Sequence, residues 1–174
     1  GVNIVLGCGW YREIVYEDAV FRQTSNQLAQ RMVNEIREGF AGTDVKPGFI
    51  GEIGTERGFI SPAEERVFLA AAKASLETGV TILTHTTHFG ELALEQIDLL
   101  EIAGVSPDRI IISHLGDRED TSSLLRIADR GVYCSIDNIG YQGDGYPQDD
   151  VRLNSARTLI DHGHLDRIVL GTDI

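Results

Sequence analysis

The 174-residue sequence predicts an α/β fold, namely a (β/α)8 TIM barrel of which this chain holds about six of the eight strand–helix units. Three observations support this prediction. Short apolar, β-branched runs alternate with longer amphipathic stretches, the amphipathic stretches end at glycines, and acidic or histidine residues stand where the apolar runs end. Continuous apolar strands that alternate with helices are typical of a parallel sheet covered by helices.

Six apolar runs are predicted to be strands, because each is short, rich in β-branched residues and bounded by turn residues. They span residues 3–8, 48–53, 81–85, 110–114, 132–136 and 167–172. The helices between them are predicted to end at glycines suited to a left-handed C-terminal cap. These glycines are Gly39, Gly79, Gly104, Gly131 and Gly163.

The helix after the second strand has the clearest start signal. Ser61 can cap it, Pro62 fits its first position, and Glu64 completes a capping box. We expect this helix to run to about Thr78.

Alternation alone leaves two architectures open, a doubly wound open sheet and a closed barrel. A complete barrel takes about 250 residues, or roughly 31 for each unit, so length by itself favours the open sheet. The chain starts at Gly1 without a methionine and stops at Ile174 just as an apolar strand ends. We therefore expect residues 1–174 to be a single catalytic barrel domain, truncated at both ends, that exposes sheet edges and aggregates when expressed alone.

Composition excludes several classes of partner. The net charge of −12 argues against nucleic acid and anionic lipid, which are held mainly by lysine and arginine. The sequence has no apolar run long enough to span a membrane and no signal-peptide pattern. Cys8 and Cys134 lie inside apolar runs, as buried free thiols do, which predicts a reducing compartment and a cytoplasmic location. The sequence leaves the oligomeric state open, with a homodimer as one possibility.

The residues at the strand ends decide between the two architectures. They are Glu52, His85, His114, Asp137 and Asp173, and Glu52, His85 and His114 follow one another at about one strand–helix unit. In an open sheet with strands about 4.8 Å apart, residues on the second and sixth strands would be nearly 20 Å apart. Closing the sheet brings them to one rim, so we favour the barrel.

This set of side chains predicts a metal site. A glutamate between Gly51 and Ile53 on an apolar strand is costly to bury unless a cation meets it. Imidazole and carboxylate ligands suit zinc, manganese or cobalt, and zinc is the usual ion for hydrolysis. His88, in the loop after His85, is predicted to face solvent.

The runs GEIGT, THT, SHLGD, IDN and GTD together resemble the phosphotriesterase-related group of the amidohydrolase superfamily. The resemblance covers essentially the whole chain, from the third barrel strand to the eighth. It implies a binuclear metal centre in which His85 and His114 hold one ion, Asp173 helps to hold the other and Glu52 bridges both. The histidine pair on the first barrel strand would lie outside this chain.

The sequence departs from the family pattern at two positions. Many members bridge their metals with a carboxylated lysine, whereas Glu52 is found in relatives of uncertain or amide-hydrolysing activity, which argues against a prototypical phosphotriesterase. Asn138 stands where organophosphate hydrolases have a histidine. A proton accepted by Asp173 would therefore pass toward Asp117 without that histidine.

The resemblance implies a metal-dependent hydrolase of small molecules. Two divalent ions would lower the pKa of a bridging water, and the resulting hydroxide would attack a lactone, carboxylic ester, amide or phosphotriester, in that order of preference. Tyr11, Trp10 and Asn138 are the expected substrate-binding residues.

Two rival interpretations stay open. A metal-free aldolase or isomerase barrel would need a Schiff-base lysine at a strand end, but Lys46 and Lys73 lie elsewhere. A noncatalytic α/β binding domain, or a degenerate barrel that keeps its ligands by descent, predicts no turnover.

Overall fold

The computed structural model describes residues 1–87, 90–143 and 145–173. His88 lies outside the described residues, so its predicted exposure stays a prediction. The strands are β1 Gly7–Cys8, β2 Phe49–Gly54, β3 Thr81–His85, β4 Ile110–Ile112, β5 Tyr133–Ile136 and β6 Ile168–Leu170. The α-helices are α1 Asp18–Arg22, α2 Ser25–Glu38, α3 Pro62–Thr78, α4 Ala93–Ile102, α5 Ser122–Ala128 and α6 Asp149–Asp161. Short 3-10 turns are formed by Glu13–Val15, Pro107–Arg109 and Leu165–Arg167.

The six strands form one parallel sheet in the order β1-β2-β3-β4-β5-β6, which confirms the predicted partial barrel. In a doubly wound sheet the strand order reverses at a switch point. Here each strand pairs with its neighbour in sequence. Since crossovers between parallel strands are right-handed, every helix then falls on the same side of the sheet. The result is an arc of a barrel wall with the helices outside.

The core lies between this wall and the helices. Isoleucines from β2, β3 and β4 are fully buried, among them Ile50, Ile82 and Ile110. Helix α3 contacts α2, α4 and the sheet. Four of its residues are alanines with no exposed surface, and their small side chains allow close packing on several sides: Ala70, Ala71, Ala72 and Ala74.

The predicted signals at both ends of α3 are confirmed. The Ser61 side-chain oxygen accepts a hydrogen bond from the Glu64 N–H at 3.2 Å, and the Glu64 carboxylate accepts one from the Ser61 N–H at 3.0 Å. The helix ends at Thr78, and Gly79 adopts a left-handed conformation with φ of 82°. Its N–H donates to the Ser75 carbonyl at 2.8 Å, which satisfies a terminal carbonyl of the helix.

Three predicted strands were too long by two or more residues. β1 begins at Gly7 instead of residue 3, and Val2 and Ile4 are 89% and 81% exposed, so no apolar partner among the described residues favours an extended ladder there. β4 stops at Ile112 and β6 at Leu170 because the backbone turns beyond them. His114 and Asp173 have positive φ angles, which are incompatible with an extended strand.

Both cysteines are free and buried, as predicted, and burial raises the pKa of each thiol to about 12. Cys8 and Cys134 are therefore protonated at neutral pH and are poor nucleophiles. None of the helices in the described part of the chain is long and apolar enough to cross a membrane.

Candidate metal centre

Three neighbouring strands bring their polar residues to one rim of the sheet. Glu52 lies within β2, His85 is the last residue of β3, and His114 follows β4 by two residues. Because the strands are parallel and adjacent, their C-terminal ends lie at the same rim, and these side chains converge although they are far apart in sequence. The predicted cluster of Glu52, His85 and His114 is thus present.

The ligand atoms of this cluster lie within 4.8 Å of one another. His114 Nε2 is 2.7 Å from His85 Nδ1, and the two Glu52 oxygens are 3.4 Å from His85 Nδ1 and 3.6 Å from His114 Nε2. Burial lowers the pKa of His85, which favours the neutral imidazole that a metal requires. Two imidazole nitrogens and a carboxylate this close together are a ligand set that suits a divalent transition metal.

Asp137 orients His114. One carboxylate oxygen accepts a hydrogen bond from the His114 main-chain N–H at 3.0 Å, and the other lies 2.8 Å from His114 Nδ1. A proton on Nδ1 leaves the Nε2 lone pair directed at the cluster, as in carboxylate–histidine–metal arrangements. Burial alone would lower the pKa of His114, but the Asp137 hydrogen bond and charge outweigh burial and raise it. The sequence placed Asp137 at a strand end but did not reveal this role.

Replacing Asp137 with asparagine is expected to weaken metal binding by about 10- to 100-fold, the usual effect of losing a carboxylate behind a metal-bound histidine. The measurement is competitive metal titration of the full-length protein against a chelating dye. Asp129→Asn is the matched control, because Asp129 is 71% exposed and contacts only His164 among the ion pairs of the described residues. Equal metal affinity for Asp137→Asn and Asp129→Asn would contradict the orienting role.

Asp173 lies at the same rim but outside the three-residue cluster. It lines a cavity of about 180 Å³ together with His85 and His114. Burial and the nearby Glu52 and Asp137 charges raise the pKa of the Asp173 carboxyl. Its position suits a ligand of a second ion beside the first, as the resemblance implied, and that role stays a prediction.

Asp117 also lines this cavity, and both of its oxygens are engaged. Arg152 Nε donates to one oxygen at 2.9 Å, and Asn138 Nδ2 donates to the other at 2.7 Å. Arg152 is 1% exposed and also pairs with Asp149 at 2.7 Å. Sequence patterns carry no signal for the role of Arg152, because an arginine in an amphipathic helix usually faces solvent.

The backbone at this rim adopts an uncommon conformation at three successive strand ends. His114, Asn138 and Asp173 have φ angles of 61°, 60° and 54°, and Leu92 is the other non-glycine residue with positive φ in the described chain. Left-handed conformations are unfavourable for most side chains and cluster at functional sites. Here they turn three polar side chains into the cavity.

The three predicted substrate-binding residues differ in their position relative to the cavity. The Tyr11 hydroxyl lies 3.0 Å from His85 Nε2, and Tyr11 and Asn138 both line the cavity. Trp10 is not among the described residues that line it. Its indole N–H donates to Glu17 at 3.4 Å, and Arg31 stacks on its ring. A role for Trp10 in substrate binding stays a prediction that its placement does not support.

A network of buried polar side chains forms hydrogen bonds to the backbone at and near His85. Gln96 Nε2 donates to the His85 carbonyl and to the Thr55 hydroxyl, each at 2.9 Å, and the Thr87 hydroxyl donates to the Thr55 carbonyl at 2.8 Å. These contacts link α4 to the ends of β2 and β3. The sequence did not reveal them, because polar residues on an amphipathic helix carry no mark of burial.

Comparison with known proteins gives a match along the whole chain. The sequence model described as "Phosphotriesterase family" matches residues 1–174. The chain is 39% identical over 174 residues to "Phosphotriesterase homology protein" of Escherichia coli strain K12, covering 100% of this chain and 59% of that protein. It is 35% identical to "Aryldialkylphosphatase" of Saccharolobus solfataricus, covering 99% and 54%. It is 33% identical to "N-acetyltaurine hydrolase" of Xenopus tropicalis, covering 100% and 52%. The chain thus spans little more than half the length of these relatives.

Solved structures give the same match. The fold is similar to that of the Escherichia coli phosphotriesterase homology protein complexed with phosphate, with a TM-score of 0.94, 39% identity and coverage of 99% of this chain and 59% of that one. It is also similar to a mutant of a phosphotriesterase-like lactonase from Deinococcus radiodurans. That match has a TM-score of 0.89, 34% identity and coverage of 97% and 54%.

Proposed function

This chain belongs to the phosphotriesterase family, and on that premise we propose that the full-length protein is a metal-dependent hydrolase of small molecules. The observation that supports this proposal most directly is the convergence of Glu52, His85 and His114 within 4.8 Å at the rim of the sheet. Two imidazoles and a carboxylate that approach one another this closely at a half-buried rim are difficult to explain as a structural feature alone.

We propose that Glu52, His85 and His114 hold one divalent ion, and that Glu52 and Asp173 help to hold a second, with residues outside this chain completing it. Zinc is the first expectation, and manganese or cobalt would suit the same ligands. Ions bound here would supply Lewis-acid polarisation of the substrate and a lowered pKa of bound water.

In this proposal, the residues around the candidate metal centre transfer protons or bind the substrate. Asp173 lines the cavity beside the candidate ligands, and this position suits it to accept a proton at the rim. Asp117 lies farther along this route, with its two oxygens already accepting hydrogen bonds from Arg152 and Asn138, so we place the accepting role on Asp173 first. Tyr11 and Asn138 would shape the wall that holds the substrate.

The candidate substrates are lactones, carboxylic esters, amides and phosphotriesters. The names of the relatives span this range, since they include a lactonase, an N-acetyltaurine hydrolase and an aryldialkylphosphatase. Glu52 in place of a lysine favours the carbonyl substrates over phosphotriesters. We further propose a cytoplasmic location, supported by the two free buried cysteines, and a single catalytic barrel domain, while a homodimer stays open.

Metal analysis of the full-length protein, followed by an activity panel, tests the proposal. We expect about two transition-metal ions per chain, loss of activity after chelation and recovery when zinc, manganese or cobalt is added back. The panel compares a lactone, an aryl ester, an N-acyl amide and a phosphotriester by kcat/KM. Purified protein without bound metal that turns over none of the four would instead favour a noncatalytic binding domain or a degenerate barrel.

A further inference from the structure

Arg12 lies in the loop between β1 and the first 3-10 turn and lines the same cavity as His85 and Asp173. Among the described residues that line this cavity, Arg12 is the one with a permanent positive charge. The chain as a whole carries a net charge of −12, and the cavity already contains the carboxylates of Asp117 and Asp173. The Arg12 guanidinium therefore distinguishes this cavity from the acidic character of the rest of the chain.

The ion pair that holds Arg12 is incomplete. Arg12 Nη1 lies 3.3 Å from a Glu56 carboxylate oxygen, which is long for a charge-assisted hydrogen bond. Arg12 Nε and the other Glu56 oxygen are buried and have no hydrogen-bond partner among the described residues. Arginine and carboxylate usually meet through two parallel bonds, so Glu56 leaves part of the guanidinium fork unused.

The position of Arg12 relative to the metal cluster is fixed by its neighbours. Its guanidinium stacks on the Tyr11 ring at 4.8 Å from the ring centre, and the Tyr11 hydroxyl is 3.0 Å from His85 Nε2. Gly54 provides the space, because a Cβ atom there would lie 2.9 Å from the His85 Cβ and 3.2 Å from the Arg12 Cγ. Arg12 and the candidate metal ligands therefore face one small cavity from adjacent sides.

We propose that Arg12 is a specificity-determining residue that binds a carboxylate or sulfonate group on the substrate, close to the bond that is cleaved. This inference rests on the proposed hydrolase function and narrows its substrate class to molecules with an anionic group beside the scissile bond. The anion would pair with the Arg12 guanidinium in the cavity, and Glu56 holds the arginine in place while partly competing for its charge.

The test uses matched pairs of ligands that differ only in charge, with the metal-loaded full-length protein. N-acetyltaurine is compared with its neutral sulfonamide, N-acetyl-β-alanine with its carboxamide, and monophenyl succinate with its carboxamide. We expect wild type to prefer each anionic member, and Arg12→Gln to lower kcat/KM for the anionic members by roughly 10- to 100-fold, chiefly through KM. The neutral members should change less than about twofold.

The Glu56→Gln variant is expected to change affinity for the anionic substrates in the opposite direction to Arg12→Gln. Removing the competing charge with a side chain of the same shape should raise affinity for the anionic members by about 2- to 5-fold. Arg22→Gln is the control for loss of one positive charge, because the Arg22 side chain is 81% exposed, pairs with the exposed Asp18 and is not among the described residues that line the cavity. If Arg12 only packs the loop, Arg12→Gln will impair anionic and neutral substrates alike, and that result overturns the proposal.

Calorimetric binding of N-acetyltaurine separates failure of this inference from failure of the proposed function. If no compound in any series is turned over, the hydrolase proposal fails, and the Arg12 site is still judged by whether Arg12→Gln weakens this binding. If neutral substrates are turned over as well as anionic ones and Arg12→Gln matches wild type, the hydrolase stands and the Arg12 inference is overturned.

Discussion

Replacing His114 with alanine, or Glu52 with glutamine, is expected to lower the metal content of the full-length protein and to reduce kcat/KM by at least about 10³-fold. His114 Nε2 and the Glu52 carboxylate are two of the three groups that converge at the rim. A bound ion contributes several kcal/mol to stabilisation of transition-state charge, and each 1.36 kcal/mol corresponds to a tenfold change in rate.

Metal analysis and the activity panel measure this effect on the same samples. His162→Ala and Glu77→Gln are the matched controls. His162 bonds the Thr158 carbonyl at the end of α6, and Glu77 forms an exposed ion pair with Arg37. Both controls should keep wild-type metal content and activity. A His114→Ala protein that retains about two ions and full turnover would show that this cluster is not the catalytic metal site.

The convergence of Glu52, His85 and His114 could be predicted from sequence because it follows from fold topology. Parallel strands place their C-terminal ends on one rim, so residues one unit apart must converge whatever the details of packing. A correct strand assignment was enough to place Glu52, His85 and His114 at the same rim, and errors of two residues at the ends of β4 and β6 did not affect that conclusion. The positive φ that turns the His114 side chain into the cavity is a detail that topology does not predict.

The residues that support the cluster could not be predicted in the same way. Asp137 meets His114 because His114 adopts a positive φ, and sequence patterns do not report such a turn in a histidine. Arg152 and Arg12 lie on a helix and in a loop where arginines are normally solvated. The position of Trp10 after a strand predicts a substrate-binding role, whereas its indole N–H donates to Glu17 and it is not among the described residues that line the cavity. For each of these residues, the contacts depend on the direction of the side chain, which the sequence pattern does not report.

Arg152→Ala is expected to lower the free energy of unfolding by about 3–5 kcal/mol, because it leaves a buried carboxylate without its counter-charge. Arg152 is 1% exposed, and the Asp117 side chain has no exposed surface. Arg152 also bonds Asp149 and the Pro147 carbonyl, so the variant detaches the start of α6 from the rim. Urea unfolding of the full-length protein, followed by circular dichroism, measures the change.

Two further variants identify the cause. Arg157→Ala alters an exposed arginine in the same helix and should change stability by less than about 0.5 kcal/mol. Arg152→Ala combined with Asp117→Asn removes the unpaired charge, so it should recover part of the loss if burial of that charge is the main cost. If the double variant is no more stable than Arg152→Ala, the loss comes from packing of α6 instead. If Arg152→Ala matches Arg157→Ala, the buried ion pair contributes nothing to stability, and Asp117 must be balanced by another group in the full-length protein.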